Sequence, residues 1–188
     1  MKLFPHPTDP GRSWVSPHEL IDHIVTVHHD YLRMTLPDLE EFNDWIASQG
    51  TLPSRLKDGM CSELTALADL LERHLSEQEN WLFPMIRHLD EAAGQTEWAF
   101  QLGDCLEWLM DRVSHENVDL LGHVGSLQAY MRDLAHSANE PPIANLAGQV
   151  ATVCNDLPKH ARLETEVLIP WVKELIKEEG LVCTGQYW

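Results

Sequence analysis

The chain has 188 residues, 30 acidic against 13 basic side chains, a formal net charge of −17 and 44% hydrophobic content. That length fits one domain able to bury a core without staples, and the acidity excludes nucleic acid and anionic membrane surfaces as natural partners, because both reward a basic patch. Cys61, Cys105, Cys154 and Cys183 are widely spread with no CxxC pair, which excludes a zinc knuckle or a disulfide framework and suits a reducing, cytoplasmic setting.

Residues 1–15 carry Pro5, Pro7 and Pro10 and read as an extended arm without the apolar core of a secretory signal. Ser16, Pro17 and Glu19 then form a helix start: an N-cap, a proline at the first helical position and a Ser-x-x-Glu capping box. Apolar residues at 20, 21, 24, 25, 27, 32 and 36 follow a helical period. Pro37 should kink or interrupt this helix before "DLEEFNDWIA" resumes it. "SQGTLPSRLKDG" is expected to be a loop. A second helix is predicted over residues 60–89 with a late kink at Pro84, a third over 96–136 and a fourth over 143–179. Residues 180–188 form a tail whose Tyr187 and Trp188 could pack back on the helices or support a homodimer. No stretch alternates like a strand, and none approaches the apolar length of a membrane span. The expected fold is all-α, a single up-down-up-down antiparallel four-helix bundle over residues 16–179, with an irregular all-α fold as the alternative.

The candidate chemistry lies in a repeat. His29 to His74 is 45 residues (74 − 29), and His115 to His160 is again 45 (160 − 115). "HLSEQENWLFP" at 74–84 matches "HARLETEVLIP" at 160–170. The spacing places one His on each helix. His160 and Glu164 stand i,i+4 on one helix face, along the apolar stripe of Leu157, Val167, Leu168 and Trp171. His74 shares its stripe with Leu67, Leu70, Leu71, Trp81 and Leu82. A single histidine in such a seam is usually a packed structural residue, and an exposed His–Glu pair is the bland reading of His160 and Glu164. Four histidines on four facing stripes with a carboxylate point instead to a metal held by imidazole and carboxylate, which suits Fe, Zn, Mn or Ni. His28 has no repeat partner, since Ser114 stands 86 residues further on (28 + 86), and reads as a surface residue or one lying behind the site.

"ELIDHIVTVHHDYLRMTLPDLEEF", "LTALADLLERHLSEQENWLFPMI", His115 and "HARLETEVLIP" together resemble the hemerythrin-like (HHE cation-binding) domain family, and in particular the iron–sulfur cluster repair di-iron proteins within it. The resemblance spans roughly residues 17–171. It implies a four-helix bundle around a non-heme di-iron centre with His and bridging carboxylate ligands, carried here by His29, His74, His115, His160 and Glu164. Two differences stand out. Gln78 occupies the place of the carboxylate expected four residues after His74, and only the arm 1–15 stands where the repair proteins carry a Cys-bearing domain. An amide supplies one neutral oxygen and no bridge, so Glu77 (i+3 from His74) and Asp119 (i+4 from His115) are the candidate substitutes, while Glu79 at i+5 should point away.

These readings lead to a non-heme iron protein, two Fe per chain with one Fe or another divalent metal as the variant, that binds or senses O2 or NO. The alternatives are a redox or repair enzyme acting on damaged iron–sulfur clusters or nitrogen oxides, and a metal-free interaction bundle. No nucleophile, phosphate loop or Ser-His-Asp order marks a catalytic residue.

Overall fold

The computed structural model describes residues 4–5, 13–91, 96–137 and 143–178. The expectation for Tyr187 and Trp188 lies outside the described residues. Four long helices form the expected all-α bundle. The first packs on the second and the fourth, and the third packs on the second and the fourth, which is the closed neighbour order of an up-down-up-down topology. The arm contributes a minimal antiparallel pairing of Phe4–Pro5 with Ser13–Trp14, and Trp14 is fully buried against the bundle. No helix among the described residues is long and apolar enough to cross a membrane.

The first helix starts as its capping residues dictate. Ser16 is extended, its Oγ accepts from the Glu19 N–H at 3.2 Å, and Glu19 reaches back to accept from the Val15 N–H at 3.0 Å. Pro37 does not interrupt the helix, which runs unbroken over Asp30–Ser48. Pro37 and Arg33 are both exposed, so the Arg33 carbonyl that loses its partner remains solvated. The second helix begins at Ser54, earlier than periodicity suggests, because the Pro53 carbonyl accepts from both Leu56 and Lys57 N–H groups. Gly59, which reads as a breaker, is instead a packing residue: a Cβ there would collide with the hydroxyl and ring of Tyr130 on the third helix.

Three of the four helices widen into π turns, at Ile24–His29, Gln78–Leu82 and Leu163–Leu168. Each is closed by an i→i−5 bond: Asp30 N–H to Val25 O, Phe83 N–H to Gln78 O, and Ile169 N–H to Glu164 O. Pro84 and Pro170 each stand two residues beyond the end of the last two. Their rings and missing N–H groups oppose the ordinary ladder, and the wider turn ahead accommodates them. The kink expected at Pro84 takes this form. Such turns insert one residue and rotate everything beyond it by about 100°.

The apolar interior falls into two clusters. One gathers Trp14, Leu20, Ile24, Phe83, Met110 and Trp171 at the end of the bundle nearest the arm. The other gathers Leu32, Phe42, Met60, Leu71, Leu127 and Leu157 at the opposite end. A belt of buried polar side chains lies between them, at the level of the π turns.

Candidate metal centre

The belt consists of His28, His29, His74, Gln78, Glu116, Asn117, His160 and Glu164, each at most 7% exposed. Burying so many polar groups is costly unless they are paired or bind a cation. The pairing follows a pattern. His29 Nδ1–H donates to Glu79 Oε1 at 2.6 Å, and Glu79 is fixed by Arg33 Nη2, also at 2.6 Å. His74 Nδ1–H donates to Glu116 Oε2 at 3.0 Å, and Glu116 Oε1 accepts from Arg112 Nε at 3.3 Å. A carboxylate only accepts, so each Nδ1 carries a proton and each Nε2 faces the interior of the bundle, a lone pair wherever the ring is neutral. This is how proteins orient histidines for metal binding.

The inner atoms converge. His160 Nε2 lies 3.0 Å from Glu164 Oε1 and 3.4 Å from His74 Nε2, and His74 Nε2 lies 3.6 Å from Glu164 Oε2. One ligating atom each from His29, His160 and Glu164 falls within 4.8 Å of the others. The His160–Glu164 approach is short, yet its orientation is not that of a hydrogen bond: Glu164 Oε1, His29 Nε2 and Gln78 Oε1 are all buried with no hydrogen-bond partner among the described residues. His29 Nε2 and Glu164 Oε1, brought this close and left unpaired, are the arrangement a cation would satisfy, so the residues fit a metal. Glu164 is further held by Asn117, whose Nδ2–H donates to Oε2 at 2.7 Å.

Electrostatics support the same reading. Burial, reinforced by the neighbouring His160, drives the His29 pKa down from 6.5 to about 2, so the ring is neutral and its Nε2 could accept a cation. Burial opposes ionisation of Glu164, but His160 and His74 outweigh it and hold the carboxyl well below its usual range. For His74, burial lowers the pKa while the Glu116 and Glu164 carboxylates overcome it, raising the value to about 9. A cation placed among these atoms would take over the role of that proton.

Five sequence-predicted residues therefore come together: His29, His74, Gln78, His160 and Glu164. Gln78 is fully buried, with its amide nitrogen 3.0 Å from His74 Nε2. The structure does not bring in His115, Glu77 or Asp119. His115 is exposed and its Nδ1–H donates to the Asp111 carbonyl at 2.7 Å. Glu77 turns outward to Arg112 at 2.6 Å, and Asp119 is exposed. The third helix instead offers Glu116 and Asn117. Its buried seam runs Leu106, Met110, Val113, Asn117, Leu120, Val124 and Leu127, spaced alternately by four and three residues, and Asn117 falls on it where His115 does not. That seam was the available signal. Glu79 does reach the site, off the His74 face, by meeting His29 Nδ1 of the neighbouring first helix. His28 is buried beside the cluster, its Nδ1–H donating to Asp156 Oδ2 at 2.9 Å and its ring edge-on to His160 at 5.8 Å.

No family model matches the chain. Curated proteins do: the iron-sulfur cluster repair proteins YtfE of Salmonella paratyphi B, Salmonella newport and Salmonella heidelberg are each 28% identical to it over 157 residues. The aligned region covers 81% of this chain and 64% of theirs. The chain is thus similar, over most of its own length, to proteins named for repairing iron–sulfur clusters.

Proposed function

We propose that the protein is a non-heme iron protein of hemerythrin-like type that binds or senses O2 or NO. The observation that carries this reading is the convergence of three buried imidazoles and one buried carboxylate, with His29 Nε2 and Glu164 Oε1 left unpaired, between two apolar clusters. His29, His74, His160 and Glu164 would hold the iron, and ferrous iron there would supply an open coordination position for a diatomic ligand. The protein's own contribution is to fix the imidazoles through Glu79 and Glu116 and to exclude bulk water with Phe83, whose ring stacks on His29 at 5.5 Å. Anaerobic loading with Fe(II), followed by O2 or NO, should produce new charge-transfer bands in the visible. A featureless, unchanged spectrum from iron-loaded protein would refute ligand binding.

A second reading, repair of damaged iron–sulfur clusters, is favoured by the similarity to the YtfE proteins. It predicts reactivation of a damaged cluster enzyme by the iron-loaded protein, and no reactivation would remove it.

Glu79 separates an oriented metal ligand from a merely packed histidine. Glu79→Ala frees the outer nitrogen of His29, so Fe(II) affinity should fall by roughly 10- to 100-fold, measured by competition against a chelator. Unchanged affinity would show that His29 orientation does not matter to binding.

A further inference from the structure

We infer that this cage takes one divalent ion where the resemblance implies two, and that Gln78 is the residue that sets the count. The inference rests on the iron-binding reading above and concerns the stoichiometry of that same site.

The first argument is the number of donors. Atoms bound about 2.1 Å from a single ion stand roughly 3.0–3.4 Å apart as neighbours and about 4.2 Å apart across it. The inner distances are of this size: 3.0 Å for His160 Nε2 to Glu164 Oε1, 3.4 Å for His160 Nε2 to His74 Nε2, and 3.6 Å for His74 Nε2 to Glu164 Oε2. The end of the Gln78 amide facing His74 Nε2 is 3.0 Å from it, and amide nitrogen and oxygen are interchangeable by a flip, so its oxygen fits the same set. His29 joins it on the side of His160 and Glu164, with one ligating atom of each of the three within 4.8 Å of the others. Three imidazoles, a carboxylate and an amide oxygen furnish one ion. A second ion would find little left. Among the described residues the third helix brings no imidazole to the belt, since His115 is exposed and His123 pairs with Glu63, and it offers the Asn117 amide and a Glu116 carboxylate already engaged by His74 Nδ1 and Arg112.

The second argument is charge. Glu164 is the only carboxylate among these inner donors. The outer carboxylates are already offset by cations, Glu79 by Arg33 at 2.6 Å and Glu116 by Arg112 at 3.3 Å and Arg73 at 3.7 Å. One divalent ion against Glu164 leaves a single buried excess charge. Two would leave three, far from water, and burial of uncompensated charge is strongly opposed. A carboxylate at position 78 would supply both the missing bridge and the missing charge.

The test is equilibrium dialysis of the full chain with Fe(II) under anaerobic conditions and, separately, with Co(II), counted by elemental analysis, with EPR spin quantitation of the Co(II) form. Wild type should bind one ion per chain and give the full signal of an isolated Co(II), while Gln78→Glu should bind about two and show a spin-coupled, diminished signal. Two ions in wild type would overturn the inference and leave the iron-binding reading intact. No bound ion in wild type would overturn that reading itself. One ion in both proteins would overturn the role given to Gln78. The wild-type count needs no variant, so it remains decisive if Gln78→Glu folds poorly.

Discussion

Glu164→Ala should destabilise the metal-free protein by about 3–5 kcal/mol, the usual result of removing one partner from a buried charged pair. The substitution leaves His160 and His74 without their shared anion and the Asn117 Nδ2–H without its acceptor. At roughly 2–4 °C per kcal/mol for a chain of this size, the melting temperature should fall by about 10 °C. The same variant should retain no Fe(II) through desalting, because the one anionic donor of the inner cluster is gone. Chemical denaturation and elemental analysis read the two effects separately. A variant as stable as the parent would mean that Glu164 is solvated in solution, and one that keeps its iron would mean that the metal sits elsewhere. His115→Ala is the matching control: on an exposed helix face it should alter stability by no more than about 0.5 kcal/mol and leave the iron content unchanged.

Stability of the metal-free protein should peak near pH 6.5 and fall on both sides. On the acid side, the folded His29 has a pKa of about 2 against 6.5 unfolded, so between these values the unfolded chain binds the extra proton and stability is lost as pH drops below 6.5. The lowered carboxyls of Glu164 and Glu116 add to this limb below their ordinary value of 4.5. On the alkaline side, His74 titrates at about 9 when folded against 6.5 unfolded; its contribution is full below 6.5 and disappears as pH rises through 9. Metal should abolish the alkaline limb, because a bound cation replaces the His74 proton, and should steepen the acid one, because protons then compete for every ligand. Melting temperatures over pH 4–10 with and without Fe(II) test this. A metal-free curve level from pH 6.5 to 9 would show that His74 does not hold the proton.

The bundle was legible because long apolar stripes at helical spacing, a capping box and punctuating prolines all argued for helices. His29, His74, His160 and Glu164 were legible for the same reason: each lies on the stripe of its own helix. The third helix was read by numerical repeat instead of by its seam, which selected His115 in place of Asn117. Glu79 was missed for a different reason. Spacing from His74 says only that Glu79 leaves the His74 face, and the first helix lies where it points, so it meets His29; the π turns themselves escape the same 3.6-residue arithmetic. Periodicity cannot announce an inserted residue unless the two proline-marked copies, Pro84 and Pro170, are themselves taken as the sign of it. The start of the second helix was hidden because Gly59 carries two meanings, a helix breaker in isolation and a close-approach site against Tyr130.

The polar belt has a consequence for how the molecule comes apart. It divides the interior into two apolar cores that share little but the backbones passing through it, so the metal-free chain resembles two short bundles stacked end to end. The end carrying Trp14, Phe83 and Trp171 and the end carrying Phe42, Met60 and Leu71 should then open separately, each with its own hydrogen-exchange free energy. An ion gripped by His29, His74, His160 and Glu164 ties three helices together at the boundary. It acts as a rivet, and with it in place the two halves should open as one.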